Sequence, residues 1–213
     1  MLGYVPFPAF HLFGPAHLGA LAAIAALCVS AAYWGRRLPF ERRISVGRMI
    51  AALLIGYTVL SYLRLGLLGA LHWSHSLPLH LCDLTLVACF LALLSRRALA
   101  FELSYFWGLT GASQALLTPD LREGFPSPGC LLFFMGHTLV ILTNVWLIAV
   151  LDGSPRQGSV LRAFMALNVY VAAVGGVDWL FGWNYGYLCR PPSRPGSPAA
   201  RARSAPDGAP GQA

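Results

Sequence analysis

LPLHLCDLTLVACFLALLS, residues 77–95, carries no charge from Leu84 to Ser95, yet it opens with His80, Cys82 and Asp83. An apolar run of this length is close to the ~20 residues of helix that cross a hydrocarbon layer about 30 Å thick. Whether it meets lipid or a soluble core is decided by the rest of the chain. The 213 residues are 57% hydrophobic and 11% charged, with a mean hydropathy of +0.62. A soluble domain carries about a quarter of its residues charged, so this composition is that of a membrane protein. Five further runs resemble the first, at about 12–34, 44–69, 98–117, 129–151 and 159–181. Backbone groups in lipid must be satisfied within their own segment, and the short alternating strands of a barrel are absent from the pattern. The expected fold is therefore all-α, a polytopic membrane helix bundle of six transmembrane helices within residues 1–189.

The basic residues orient it. All fifteen are arginine. Arg36, Arg37, Arg42, Arg43 and Arg48 mark the first connection, Arg96 and Arg97 the third, Arg156 and Arg162 the fifth. Only Arg64 and Arg122 mark the opposite side. By the positive-inside rule the N-terminus is outside, and the third run enters from the outer face with His80, Cys82 and Asp83 leading. The net charge of +7 forms no basic stripe on a soluble domain, so a nucleic-acid partner is not expected. The first run has no basic n-region before it and reads as a retained helix of a multi-pass cell-membrane protein. From Arg190 to Ala213 the chain is rich in Pro, Ala, Gly and Arg and reads as a disordered tail. After six helices that tail lies outside, with four arginines against the pattern.

Ionisable groups within a span face protein or water rather than lipid. At 100° per residue His80 and Cys82 stand about 160° apart, so Cys82 needs a base from another helix. His137, on the fifth run, lies about 12 Å below the outer end of its helix, and Cys82 about 7 Å below its own. At that depth the helix dipole gives a thiolate little help, and an imidazole that takes the proton is the more effective aid. Asn144 follows His137 by seven residues on the same stripe, and Thr110, Gln114 and Thr118 form another. Asn168 and Asp178 stand on the sixth run, and Arg64 near the outer end of the second. The candidate site is an outward-facing cavity with Cys82 and His137 as nucleophile and base. Arg64, His80, Asp83, Gln114, Asn144 and Asn168 are the candidate substrate contacts.

Each residue has a plainer role open to it. Asn144 and Asn168, near the midplane, suit interhelical hydrogen-bond glue better than catalysis, and Arg64 suits a snorkelling side chain or a partner of Asp83 better than a substrate contact. Gln114 with its threonines is also a packing stripe, and the GASQA segment and Gly175-Gly176 offer small residues for close helix approach. Cys28, Cys89 and Cys130 are packing residues, since no CxxC pair occurs. A different pattern, His72, His75, His80, Cys82 and Asp83 with His11 and His17 nearby, is of the kind that holds zinc, copper or haem, but its spacing matches no strong metal signature. No metal and no cofactor is assigned.

Taken together, FGPAHL (13–18), LPLHLCDLTL (77–86), WGLTGASQALLTPDL (107–121), FFMGHTLVIL (133–142) and WNYGYL (183–188) resemble the YwaF-like (intg_mem_TP-type) integral membrane family, whose eukaryotic branch is transmembrane protein 164. The resemblance covers about residues 10–189. It implies seven helices, so this chain looks to lack the last one, and a shifted reading frame or truncation after Arg190 would account for that. It also implies a phospholipid acyltransferase that carries the acyl chain on a cysteine, with a histidine required; by position these are Cys82 and His137. Membrane phospholipid or lysophospholipid would be the substrate. The rival expectation is a non-enzymatic protein, a small-solute transporter or receptor-like binder using the same cavity, although no inverted internal repeat is evident.

Overall fold

The computed structural model describes residues 7–188. The expectations for the tail from Arg190, and for a missing last helix, lie outside the described residues. Eight α-helices follow in order: α1 (Pro15–Gly35), α2 (Phe40–Leu67), α3 (Trp73–Ser76), α4 (Leu81–Ser95), α5 (Ala98–Leu103), α6 (Leu109–Leu117), α7 (Pro128–Val145) and α8 (Ser159–Phe181). A π-helical turn at Ser104–Gly108 joins α5 to α6 in one continuous path, and another at Trp146–Val150 extends α7. The described residues hold no strand, only one isolated antiparallel bridge between Ala9 and Glu123. Helical segments thus occupy all six apolar runs. Pro15–Gly35, Phe40–Leu67, Pro128–Val150 and Ser159–Phe181 are long and apolar enough to cross a membrane.

Local chemistry sets the boundaries. Pro15 and Pro128 stand in the first turns of their helices, where the missing N–H costs nothing. Ser127 caps α7 by accepting the Cys130 N–H at 3.2 Å. Gly182, with φ +68°, ends α8 in the left-handed conformation open to glycine. The third run departs from expectation. Its helix begins at Leu81 rather than 77, because Leu77 and His80 are extended around Pro78 and the Asp83 carboxylate takes the His80 N–H at 3.2 Å.

Large apolar side chains cover the surface, and several polar groups are buried within a mainly apolar interior. Leu67, Trp179, Val29 and Val169 are among the large side chains that face outward, while Glu102, Asn144, Thr143 and Asp178 are buried. An outer face this rich in large apolar side chains is what a lipid solvent selects. In lipid, burial of apolar groups gives helices no reason to associate, so close packing and internal hydrogen bonds must do it. Helix α7 is central, packed on α1, α2, α4 and α6, and α5 packs on α8. Close approach occurs at Gly35 against Trp146 and Val150, Gly108 against Asn144, and Gly136 against Tyr57. Gly111 and Gly176 have open space around them; in the GASQA segment it is Ala112 that is buried, in the cluster that also holds Leu139 and Val140 of α7.

The arginine-bearing connections gather at one end. Arg36 donates to the Ala149 carbonyl at 2.6 Å, and Arg43 to those of Leu38, Val150 and Arg36. These guanidiniums sit on carbonyls at the C-terminal end of the α7 path, where the helix dipole favours positive charge. Glu102, fully buried on α5, receives Arg156 at 2.9 Å and Arg162 at 2.7 Å. At the opposite end, residues 183–188 fold back over the loop before α4. The Tyr185 hydroxyl accepts the Leu77 N–H and donates to the Trp73 carbonyl, and Tyr170 donates to Leu79.

Candidate functional site

Because α4 starts late, Cys82 is its second residue. The expectation that Cys82 lies beyond reach of the helix N-terminus is therefore corrected: it stands in the first turn, among N–H groups that favour negative charge. Asp83, one residue on, already uses that environment as the helix cap. At 15 residues, α4 is about 22 Å long, so its N-terminus lies some 8 Å short of the edge of a ~30 Å hydrocarbon layer if Ser95 is at the other edge. His137 is about 13 Å along α7 from Pro128. The two residues meet at comparable depth.

They line one cavity of about 80 Å³ at the junction of α2, α4, α7 and the wide turn before α6. Its wall also includes Tyr57, Asp83, Trp107 and Gly136. Cys82 is exposed and His137 half-buried. The His137 Nδ1 lies 2.8 Å from the Phe133 carbonyl. A carbonyl only accepts, so Nδ1 carries the proton and Nε2 is the bare nitrogen. The imidazole also rests on the Phe133 ring, with centroids 4.3 Å apart, which together with the Nδ1 bond fixes its plane. No hydrogen bond joins Cys82 to His137 among the described residues; the cavity lies against both. Chemically this is a thiol at a helix N-terminus beside a neutral imidazole whose free nitrogen can take a proton, in a largely apolar recess.

The other sequence candidates divide. Asp83 lines the cavity. His80 does not: its Nδ1 accepts the Gly186 N–H at 3.2 Å and its ring lies against Tyr185, so it ties residues 185–186 to the start of α4. Asn144 is fully buried and bonds to Ser104, the Val140 carbonyl and the Cys89 sulfur, the role of interhelical glue. Gln114 is exposed and donates to Thr118 at 2.7 Å, away from the cavity. Asn168 is exposed as well, and its amide bonds to its own helix at Phe164, so it joins neither the cavity nor another helix. Arg64 forms no ion pair with Asp83; it lines a separate groove with Glu123, Leu63 and Met135. Tyr57, Trp107 and Gly136 were not singled out from the sequence, since aromatic and small residues in a span read as packing.

The histidines of that second pattern do not converge on a metal. Both nitrogens of buried His17 are engaged, Nδ1 accepting the Phe13 N–H and Nε2 donating to the Leu116 carbonyl. His75 bonds to Ser74, and His80 holds Gly186. Among the described residues, no three His, Cys, Asp or Glu side chains are placed to share an ion.

Fold and site define a polytopic helical membrane protein with a small mixed cavity inside its bundle near one end. The chain belongs to the TMEM164 family, whose model matches residues 12–206, in agreement with the resemblance read from its motifs. The match continues past residue 189, into the Pro- and Arg-rich stretch. Over 84 residues the chain is also 38% identical to an uncharacterized protein of Treponema pallidum (strain Nichols), a match that covers 37% of this chain and about a third (35%) of that protein. No solved structure matches.

Proposed function

We propose that this protein transfers fatty acyl groups between membrane phospholipids through a thioester on Cys82. The observation that carries the reading is the shared cavity of Cys82 and His137, with His137 held in the tautomer that leaves Nε2 able to accept a proton. His137 takes the thiol proton as the sulfur attacks the ester carbonyl of a phospholipid. The carbon–oxygen bond breaks, the leaving lysophospholipid oxygen takes that proton from the imidazolium, and the acyl chain remains on sulfur. A second lysophospholipid hydroxyl then gives its proton to His137, attacks the thioester and releases the thiol. The cycle exchanges one ester for another and needs no oxidant and no cofactor. The depth of Cys82, roughly 10 Å below the edge of the layer, suits an ester carbonyl drawn slightly into the bundle.

Purified protein in phosphatidylcholine vesicles is expected to gain a hydroxylamine-sensitive acyl mass on Cys82. His137→Gln slows its formation by about 10²–10⁴, the usual contribution of a positioned base, with an unchanged unfolding midpoint. An adduct that persists in Cys82→Ala, or never forms in folded wild-type protein, sinks the acyl-enzyme reading.

A further inference from the structure

The cavity at Cys82 is too small for a fatty chain, because about 80 Å³ is roughly half of the ~150 Å³ of an apolar cavity that takes up a single benzene. An acyl group whose carbonyl sits there must leave through a wall. Three hollows are candidates, and their linings separate them. The large groove at Arg64 shares no lining residue with the cavity. The hollow between α4, α5 and α8 shares only Trp107. The third, about 230 Å³ between α2 and α4, shares both Asp83 and Leu86, the first of them adjacent to Cys82 in sequence.

We propose that this α2–α4 groove holds the acyl chain of the phospholipid whose ester carbonyl lies at Cys82, a proposal that rests on the acyl-transfer reading above. Its walls are the apolar Leu54, Ile55, Leu86 and Phe90, with Thr58 the polar group midway. The Thr58 hydroxyl donates to the Leu54 carbonyl at 2.9 Å, which satisfies it internally and leaves its methyl group to the groove. The groove runs from Tyr62 and Pro78 at the end where α4 begins to Leu54 and Phe90 deeper in the bundle. That is the direction a lipid tail takes from its headgroup toward the bilayer midplane. From Tyr62 to Leu54 is eight residues, about 12 Å of helix, and an extended chain advances roughly 1.2 Å per bond. The groove thus embraces about the first ten carbons. Ile55, Val59 and Val87 are exposed along its open side, so the chain enters sideways from lipid and the rest of a longer chain returns to it.

The test is photolabelling in vesicles that contain phosphatidylcholine with a diazirine near carbon eight of one acyl chain. Cross-links are expected on residues 54–62 and 83–90, saturable by excess unlabelled phosphatidylcholine, as bulk-lipid contact is not. Thr58→Phe fills the groove midway and is expected to reduce saturable labelling about tenfold or more, the equivalent of about two displaced methylenes. Ile55→Trp, at the open lip and outside the α4–α5–α8 hollow, is the second variant should Thr58→Phe not fold. In both, Cys82 acylation from an eight-carbon donor is expected to survive better than that from a sixteen-carbon donor. Saturable cross-links concentrated on α8 residues 166–174 or on 131–135, or labelling that no excess lipid displaces, overturn the groove assignment. Saturable groove labelling without a Cys82 adduct upholds the groove as a lipid site and overturns the acyl-enzyme chemistry alone.

Discussion

Gly136 precedes His137 on α7, and a Cβ there would overlap the phenol of Tyr57. The tyrosine lies against the helix at that point and completes the wall facing Cys82. Gly136→Ala forces Tyr57 or the α2–α7 contact to move, and overpacking of this kind costs about 1–3 kcal/mol. The expected outcome is a lower unfolding midpoint in detergent together with slower Cys82 acylation. Gly136→Ala with Tyr57→Phe keeps the steric clash, and Gly136→Ala with Tyr57→Leu relieves it and is expected to recover stability. A single variant as stable as wild type would mean that Tyr57 does not press on Gly136. At this scale Cys82 and His137 were legible, because a thiol and an imidazole stand out in apolar runs and their depths could be compared. Tyr57 was not, since nothing in the sequence of α2 separates a tyrosine lining a cavity from one packing a helix.

Between elements the strongest polar link is Glu102 with Arg156 and Arg162, which joins the last turn of α5 to the connection before α8 and its first turn. The carboxylate is fully buried while the two arginine side chains are 55% and 38% exposed. Removing the acid leaves guanidiniums that can still reach water, so the loss falls toward the lower part of the range for a broken buried pair. Glu102→Ala is expected to cost about 3 kcal/mol and Arg156→Ala less, because Arg162 keeps its bidentate grip. Unfolding midpoints in detergent measure both; equal losses would show that the two arginines act only as a unit. The two arginines were legible as orientation markers, but their pairing was not, since the partners lie 54 and 60 residues apart and helix periodicity is silent at that distance. The late start of α4 was missed for a local reason. The hydrophobicity of LPLHL is continuous with the helix, whereas the break is made by Pro78 and by the Asp83 carboxylate closing on the His80 N–H.

Across the whole molecule, the six apolar runs were legible from length and composition, and the arginines sort their connections correctly into two ends. Connections bearing Arg36, Arg43, Arg156 and Arg162 meet at one end, and residues 70–80, 118–127 and 183–188 lie at the other. This geometry makes the orientation testable by accessibility. Ser74 and Asp120 are exposed at the end that holds the cavity, and Ser95 and Ser154 at the arginine end. Cysteines introduced singly at these four positions in a Cys82→Ser, Cys189→Ser background leave only the buried thiols of Cys28, Cys89 and Cys130 beside the new one. A membrane-impermeant maleimide added to intact cells is expected to label the Ser74 and Asp120 positions, and to reach the Ser95 and Ser154 positions only after permeabilisation. The positive-inside rule then places Cys82 and His137 on the outer side, where the donor and acceptor lipids of the proposed exchange are those of the outer leaflet. The reverse labelling pattern would turn the cavity toward the cytoplasm and the inner leaflet. Labelling of all four positions in intact cells would mean that α4 and the α5–α6 path do not cross the bilayer as a pair, which is the outcome the 15-residue length of α4 puts most directly at stake.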